Sequence, residues 1–159
     1  MAEILRPDLS EFDLGRYEDR KEALKKIFSV RAAEGETPHG DIQMLQPEFV
    51  DYTEDDILTL RYKIFDWQVS NIGYIQAGFL ISMIDCACGA MSDVCSGLKS
   101  AGTIDMNTYF LRPITLEDEE VTVVVDLAAN TKRIMHFKAE LFNGKGKSAL
   151  EITMNIMKR

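Results

Sequence analysis

The stretch NIGYIQAGFLISMIDCACGAM, Asn71–Met91, decides the fold. From Ala77 onward it has the apolar density of a helix buried on most sides, carried by Phe79, Leu80, Ile81, Met83, Ile84 and Ala87. One carboxylate, Asp85, interrupts the run. An unpaired carboxylate in an apolar interior costs several kcal/mol or takes up a proton. Asp85 therefore has hydroxyl partners, faces solvent, or faces a cleft where it does chemistry. The helix begins at Gln76-Ala77-Gly78. The first N–H groups of a helix are unpaired donors, able to hold a developing oxyanion. Small Ala77 and Gly78 let a ligand approach that backbone closely. A carboxylate two turns further along the helix can activate water in a nearby site.

Working outward, the helix is predicted to run to about Ser96, with Gly97 as its C-terminal cap. Four strands are predicted to follow: Thr103–Leu111, Val121–Ala128, Ile134–Phe142 and Ala149–Met157. In the third, Met135, Phe137, Ala139 and Leu141 alternate with His136, Lys138 and Glu140, the pattern of a strand with one buried face. FNGKGKS supplies an Asn-Gly hairpin turn between the last two. Before the helix, EFVDYTEDDILTLRYKIFDW reads as a strand, an acidic turn around Asp55 and a second strand. Residues 1–15 are polar and expected to be loosely held. From Arg16 to about Ala33, Tyr17, Leu24, Ile27 and Phe28 recur at helical spacing, and EGETPHGD is then a loop. The sum is an α+β plan, one long helix inside a mostly antiparallel sheet at 46–159, preceded by an extension at 1–45 with one amphipathic helix.

The chain of 159 residues, 46% hydrophobic, suits one domain with a sizeable core. A net charge of −8 argues against nucleic acid or an anionic membrane as main partner, while leaving room for an anionic small ligand on a local basic patch. MAEILRPDLSEFD shows no secretory pattern, and the longest apolar run reads as too short to span a bilayer. Cys86, Cys88 and Cys95 are odd in number and lack zinc-site spacing, so they read as free core thiols in a reducing cytoplasm, with no metal expected. GKGKS lacks the first Gly of a phosphate loop, and a hairpin explains it. His39 falls in a loop and His136 on a polar strand face, and neither has a Ser or Cys elbow beside it. The Met residues fit as core filler.

N-I-G-Y-I-Q-A-G, followed by Asp85 nine residues after Gln76, resembles the signature of hotdog-fold acyl-CoA thioesterases of the phenylacetate-pathway (PaaI-like) branch, in the 4-hydroxybenzoyl-CoA thioesterase superfamily. In that family an Asn and a Gly precede His-Gly-Gly, and the helix carries an Asp nine residues past the His. TIDMNTYFLRPI resembles the strand that follows, including its Arg-Pro ending. The likeness runs from about Glu48 to the C-terminus. It implies that Asp85 is the general base or nucleophile and that the Ala77 N–H polarises the thioester carbonyl. It places Asn71 near a thioester-positioning Asn, and Thr103 where some members orient the attacking water. The sequence departs from the pattern at Gln76, which replaces the commoner His, and at Ala77, which replaces Gly. The Asn71–Gln76 segment is also one residue shorter.

The resemblance implies a cytoplasmic hydrolase of acyl-CoA thioesters, at least dimeric, with sites at the dimer interface and no cofactor. Gly78 lines the approach to the carbonyl, and Arg112, Lys132 and Arg133 are candidates for the phosphates of CoA. Acyl carrier protein is disfavoured as the carrier, because its acidic surface would meet a net acidic chain. The rivals are a non-catalytic acyl-CoA-binding or regulatory domain and a hydratase or dehydratase. Gln76 stands where the latter needs a His. A DNA-binding regulator would need a basic helix-turn-helix that residues 1–45 do not supply.

Overall fold

The computed structural model describes residues 7–38, 40–99 and 101–159, so His39 lies outside the described residues. Among the described residues three α-helices and six strands follow as α1 (Tyr17–Phe28), α2 (Gly40–Leu45), β1 (Glu48–Tyr52), β2 (Ile57–Lys63), α3 (Ala77–Cys95), β3 (Ala101–Phe110), β4 (Glu120–Asn130), β5 (Ile134–Phe142) and β6 (Ser148–Lys158). The strands form one sheet in the order β1-β2-β4-β5-β6-β3, and every neighbouring pair is antiparallel. β1 and β3 are its edges.

Alternation builds the inner face. Val123, Leu141 and Leu150 share one row across β4, β5 and β6, Val125, Ala139 and Ile152 the next, and Leu127, Phe137 and Met154 a third. All nine are buried. Against them α3 buries Leu80, Met83, Ile84, Ala87, Cys88, Met91 and Val94. The composition of α3, with two glycines and several β-branched residues, gives it modest intrinsic propensity, so its stability comes from this packing. A helix wrapped by a curved antiparallel sheet is the hotdog fold. By length and composition α3 could also cross a membrane, which corrects its reading as too short; more than half of it is buried in this chain's own core instead.

α3 ends as the sequence predicts. Gly97 takes φ 70, its N–H reaches Val94 O, and the Leu98 N–H reaches Asp93 O at 2.7 Å, a Schellman arrangement. The β5–β6 hairpin closes differently from the expected Asn-Gly turn. Gly146, not Gly144, supplies the left-handed residue, at φ 70. Gly144 is required for space, because a Cβ there would lie 2.2 Å from Asp118 O.

Residues 7–15 are more tightly held than their polarity suggests. Leu9 is buried, and Lys26 Nζ donates to Asp8 O at 2.6 Å. α1 stops at Phe28, five residues short of the expected end, where the Arg31 guanidinium takes the Phe28 carbonyl. A second helix, α2, occupies part of the expected loop and packs on α3. α1 is clamped to the sheet by a polar cluster. The Tyr17 hydroxyl donates to Tyr52 O at 2.7 Å, Arg20 Nε to the Tyr52 hydroxyl at 3.1 Å, and Arg20 Nη2 to Asp56 at 3.2 Å. The Tyr52 hydroxyl in turn donates to Asp56.

Candidate active site

Two groups of candidate residues emerge, one at each end of a stretch of α3. The first surrounds the helix start. A tight turn over residues 70–74, closed by Ser70 N–H to Tyr74 O at 2.7 Å and by Gly73 at φ 86, holds Asn71 and Ile72 at its exposed tip. The Gln68 carbonyl accepts the Gln76 N–H at 3.0 Å, and the Ile114 carbonyl accepts the Ile75 N–H at 2.9 Å. These bonds aim the chain into α3. Gln76 is the N-cap residue, at φ −62 and ψ 135, and no side chain caps the helix. Gln76, Ala77 and Gly78 are exposed, so the first N–H groups of α3 open outward.

Asp85 forms the second group with Thr103. The helix buries its neighbours Ile84 and Cys86, whereas Asp85 itself is exposed on the remaining face. The Thr103 hydroxyl, near the start of β3, donates to Asp85 Oδ1 at 3.1 Å. The bulge between Thr103 and Asp105 offsets this end of β3 from β6. Among the open readings of the lone carboxylate, the structure thus combines two: a hydroxyl partner and an open face.

That face borders a cavity of ≈ 850 Å³. Asp85, Cys86, Gly89, Ala90 and Asp93 of α3 form one side, with Ala101, Gly102 and Thr103 of β3 beside them. The opposite wall comes from the N-terminal extension: residues 7–10, Ile27, Val30 and residues 40–43. Sequence reasoning missed Asp41 and Gln43, because a six-residue helix has too little periodicity to register. The only signal was Gly-Asp ahead of Ile42 and Leu45, spaced to share a helix face.

The two groups do not meet within one chain. Ala77 and Asp85 are eight residues apart on one helix, roughly 12 Å along its axis. The basic candidates also separate. Arg112 donates to the Ser148 carbonyl, past the far end of β3, whereas Lys132 and Arg133 sit in the β4–β5 turn beside the C-terminal end of α3. The latter placement follows from Asn130 Nδ2, which donates to Cys95 O at 3.4 Å. None of the three lines the cavity.

The thiols are shielded. Burial pushes the Cys86 and Cys88 thiols up, and it raises Cys95 to about 11. His136 pairs through Nδ1 with Asn155 Oδ1 at 2.7 Å, and Asn155 donates to Asp105, a ladder across β5, β6 and β3. Among the described residues no cluster of three His, Cys, Asp or Glu could hold a metal.

Residues 72–150 match the family model of the thioesterase superfamily. The matched residues lie within the hotdog fold described above. The matched segment of the domain runs from the turn before α3 into β6 and includes both Asp85 and Thr103. A comparison with curated proteins gave no match. Solved structures share the domain's fold at low identity. A hypothetical thioesterase from Streptococcus pneumoniae, solved with coenzyme A, is 14% identical with a TM-score of 0.65, covering 71% of this chain and 85% of that one. A Streptococcus mutans protein bound to acetyl-CoA is 12% identical with a TM-score of 0.65, covering 71% and 88%. PaaI from the phenylacetic acid degradation operon of Escherichia coli is 14% identical with a TM-score of 0.64, covering 73% and 81%.

Proposed function

We propose that this protein hydrolyses acyl-CoA thioesters to the free acid and CoA, in sites built between two copies of the chain. The observation that carries the proposal is the exposed Asp85 between buried Ile84 and Cys86, hydrogen-bonded by Thr103 at the border of a large cavity. The match of residues 72–150 to the thioesterase-superfamily model and the CoA and acetyl-CoA in similarly folded proteins support the choice of substrate.

A thioester carbonyl is electrophilic and its thiolate leaves readily, so positioning, polarisation and water activation suffice. The Ala77 N–H, aided by the open Gly78 backbone, holds the carbonyl oxygen. Asp85 accepts a proton from water as the water oxygen bonds to the carbonyl carbon. The C–S bond then breaks and the proton passes to the departing thiolate. Thr103 turns the carboxylate so that its second oxygen faces the water. The alternative route, in which Asp85 attacks and water then resolves the anhydride, uses the same groups. Gln76 and Asn71, exposed at the helix start, position the thioester. Lys132 and Arg133, together with Arg112, are the cations available for the CoA phosphates.

Two copies are needed because the helix start and Asp85 of one chain lie too far apart to reach one carbonyl. Edge strand β3 exposes Ile104, Tyr109 and Phe110, and the turn before α3 exposes Ile72 and Tyr74, apolar surface suited to a second copy. Two-fold pairing then sets the helix start of one chain against Asp85 of its partner. The extension at 1–45 is an addition to the hotdog domain at 46–159. Three free thiols suit a reducing cytoplasm.

The test is a thiol-release assay over short, medium, long-chain and aryl acyl-CoAs. Turnover of at least one class well above the uncatalysed rate is expected. Tight binding without turnover of any would select a non-catalytic acyl-CoA-binding role instead.

A further inference from the structure

We propose that the nucleotide end of CoA docks on a basic corner formed by Lys132, Arg133 and Arg159 of the chain that supplies Asp85. The pantetheine arm then lies along α3 between the two. This rests on the hydrolytic reading above. Three observations carry it.

The first is the corner itself, where strand pairing gathers cations that are distant in sequence. The Lys158 N–H donates to Arg133 O at 2.8 Å, and Ala101, at the start of β3, pairs with Lys158. Lys158 serves the fold, since its Nζ donates to Thr131 O at 2.6 Å and also to Asn130. Lys132, Arg133 and Arg159 are exposed around it. In a chain of net charge −8, a patch of this sign concentrates an anionic ligand against the repulsion of the remainder. The phosphates of CoA are such a ligand.

The second is the path from Asp85 to the corner. The cavity bordering Asp85 is lined along α3 by Gly89 and Asp93, and then by Leu98, Ala101 and Gly102. Gly89 lies one turn past Asp85 on the same face and adds no side chain to that path. At the far end, a Cβ on Gly102 would lie 3.9 Å from Arg159 Nη2, so the guanidinium stands against the lining. The pantetheine arm is uncharged and passes the carboxylates of this path without Coulomb repulsion.

The third is length. Asp85 and Cys95 are ten residues apart on α3, roughly 15 Å along its axis. From sulfur to phosphorus, the main chain of pantetheine matches about four peptide units and spans roughly 14 Å when extended. Asn130 Nδ2, which donates to Cys95 O, holds the β4–β5 turn at that end of the helix. A sulfur near Asp85 therefore sets the pyrophosphate at the corner. Arg112 of the same chain lies nine residues along from Thr103, roughly 30 Å away and beyond that reach.

The experiment measures kcat/KM with the full chain for one acyl group carried on CoA and on pantetheine, which lacks the nucleotide. The variant Lys132→Glu/Arg133→Glu/Arg159→Glu should lower the ratio of acyl-CoA to acyl-pantetheine kcat/KM by at least ~10-fold, the scale of lost electrostatic attraction. The loss should appear as a raised KM for acyl-CoA at constant kcat. Arg159→Gln alone should move the ratio in the same direction, which keeps the test open if the triple variant folds poorly. Lys145→Glu, an equal charge change in the β5–β6 turn, should leave the ratio at its wild-type value. A ratio unmoved by both corner variants, or moved as far by Lys145→Glu, overturns the corner alone. A loss confined to acyl carrier protein thioesters, with acyl-CoA unaffected, also overturns it. Failure to turn over either thioester contradicts the hydrolytic reading and takes the corner with it.

Discussion

The Thr103 hydroxyl donates to Asp85 Oδ1 across 3.1 Å, tying the first residues of an edge strand to the exposed carboxylate midway along the central helix. A hydrogen bond to a charged group is worth about 1.5–3 kcal/mol. Thr103→Val should therefore lower kcat/KM by roughly 10-fold or more through misorientation of Asp85. Thr103→Ser, which keeps the hydroxyl, should stay near wild type. Equal activity of the Val and Ser variants would remove Thr103 from the site.

Asp85→Asn should lower thioester turnover by at least ~10²-fold, as expected for a lost general base. Because Asp85 is exposed, chemical denaturation should find stability within about 0.5 kcal/mol of wild type. A well-folded Asp85→Asn protein with near-normal turnover would refute the role given to this carboxylate.

The division between what the sequence disclosed and what it hid is physical. Strands β4, β5 and β6 were legible because their alternation is strict, and α3 because one run of apolar residues carries a capping glycine at its end. Thr103 and Asp85 are 18 residues apart, and only the superfamily resemblance joined them. The cavity wall was illegible. It is assembled from residues 7–10, Val30 and Asp41, which share no period and meet only through the docking of α1 and α2 on α3. The distance between Ala77 and Asp85, in contrast, was already implicit in the helix rise.

The proposed chemistry uses a carboxylate, a backbone N–H and water. Turnover should be unchanged after exhaustive dialysis against a chelator, measured by thiol release before and after. A loss that a divalent cation reverses would reveal a metal role not foreseen from these residues.

Burial raises the Cys95 thiol from its ordinary 9.0 to about 11, so the native state holds that proton more tightly than the unfolded chain does. The contribution to stability is intact below about pH 9 and is lost as the pH rises toward 11. Denaturation midpoints taken from pH 7 to 11 should fall over that window, and Cys95→Ala should fall less steeply. Parallel curves for the two proteins would contradict the assignment. At neutral pH a thiol reagent should label Cys88 only after unfolding, since it is buried and its thiol is pushed up.

The most direct measurement of the central claim is complementation between two inactive chains. Ala77 is the first residue of α3, where proline is tolerated and removes the N–H. Gln76 already has the extended conformation that a residue before proline prefers, at φ −62 and ψ 135. Ala77→Pro and Asp85→Asn should each be nearly inactive alone. Co-expressed, about half of randomly paired dimers are heterodimers, each with one intact and one doubly damaged site. The account predicts recovery to roughly a quarter of wild-type activity. No recovery, with heterodimers isolated and Ala77→Pro shown to fold, would contradict a site shared between two chains.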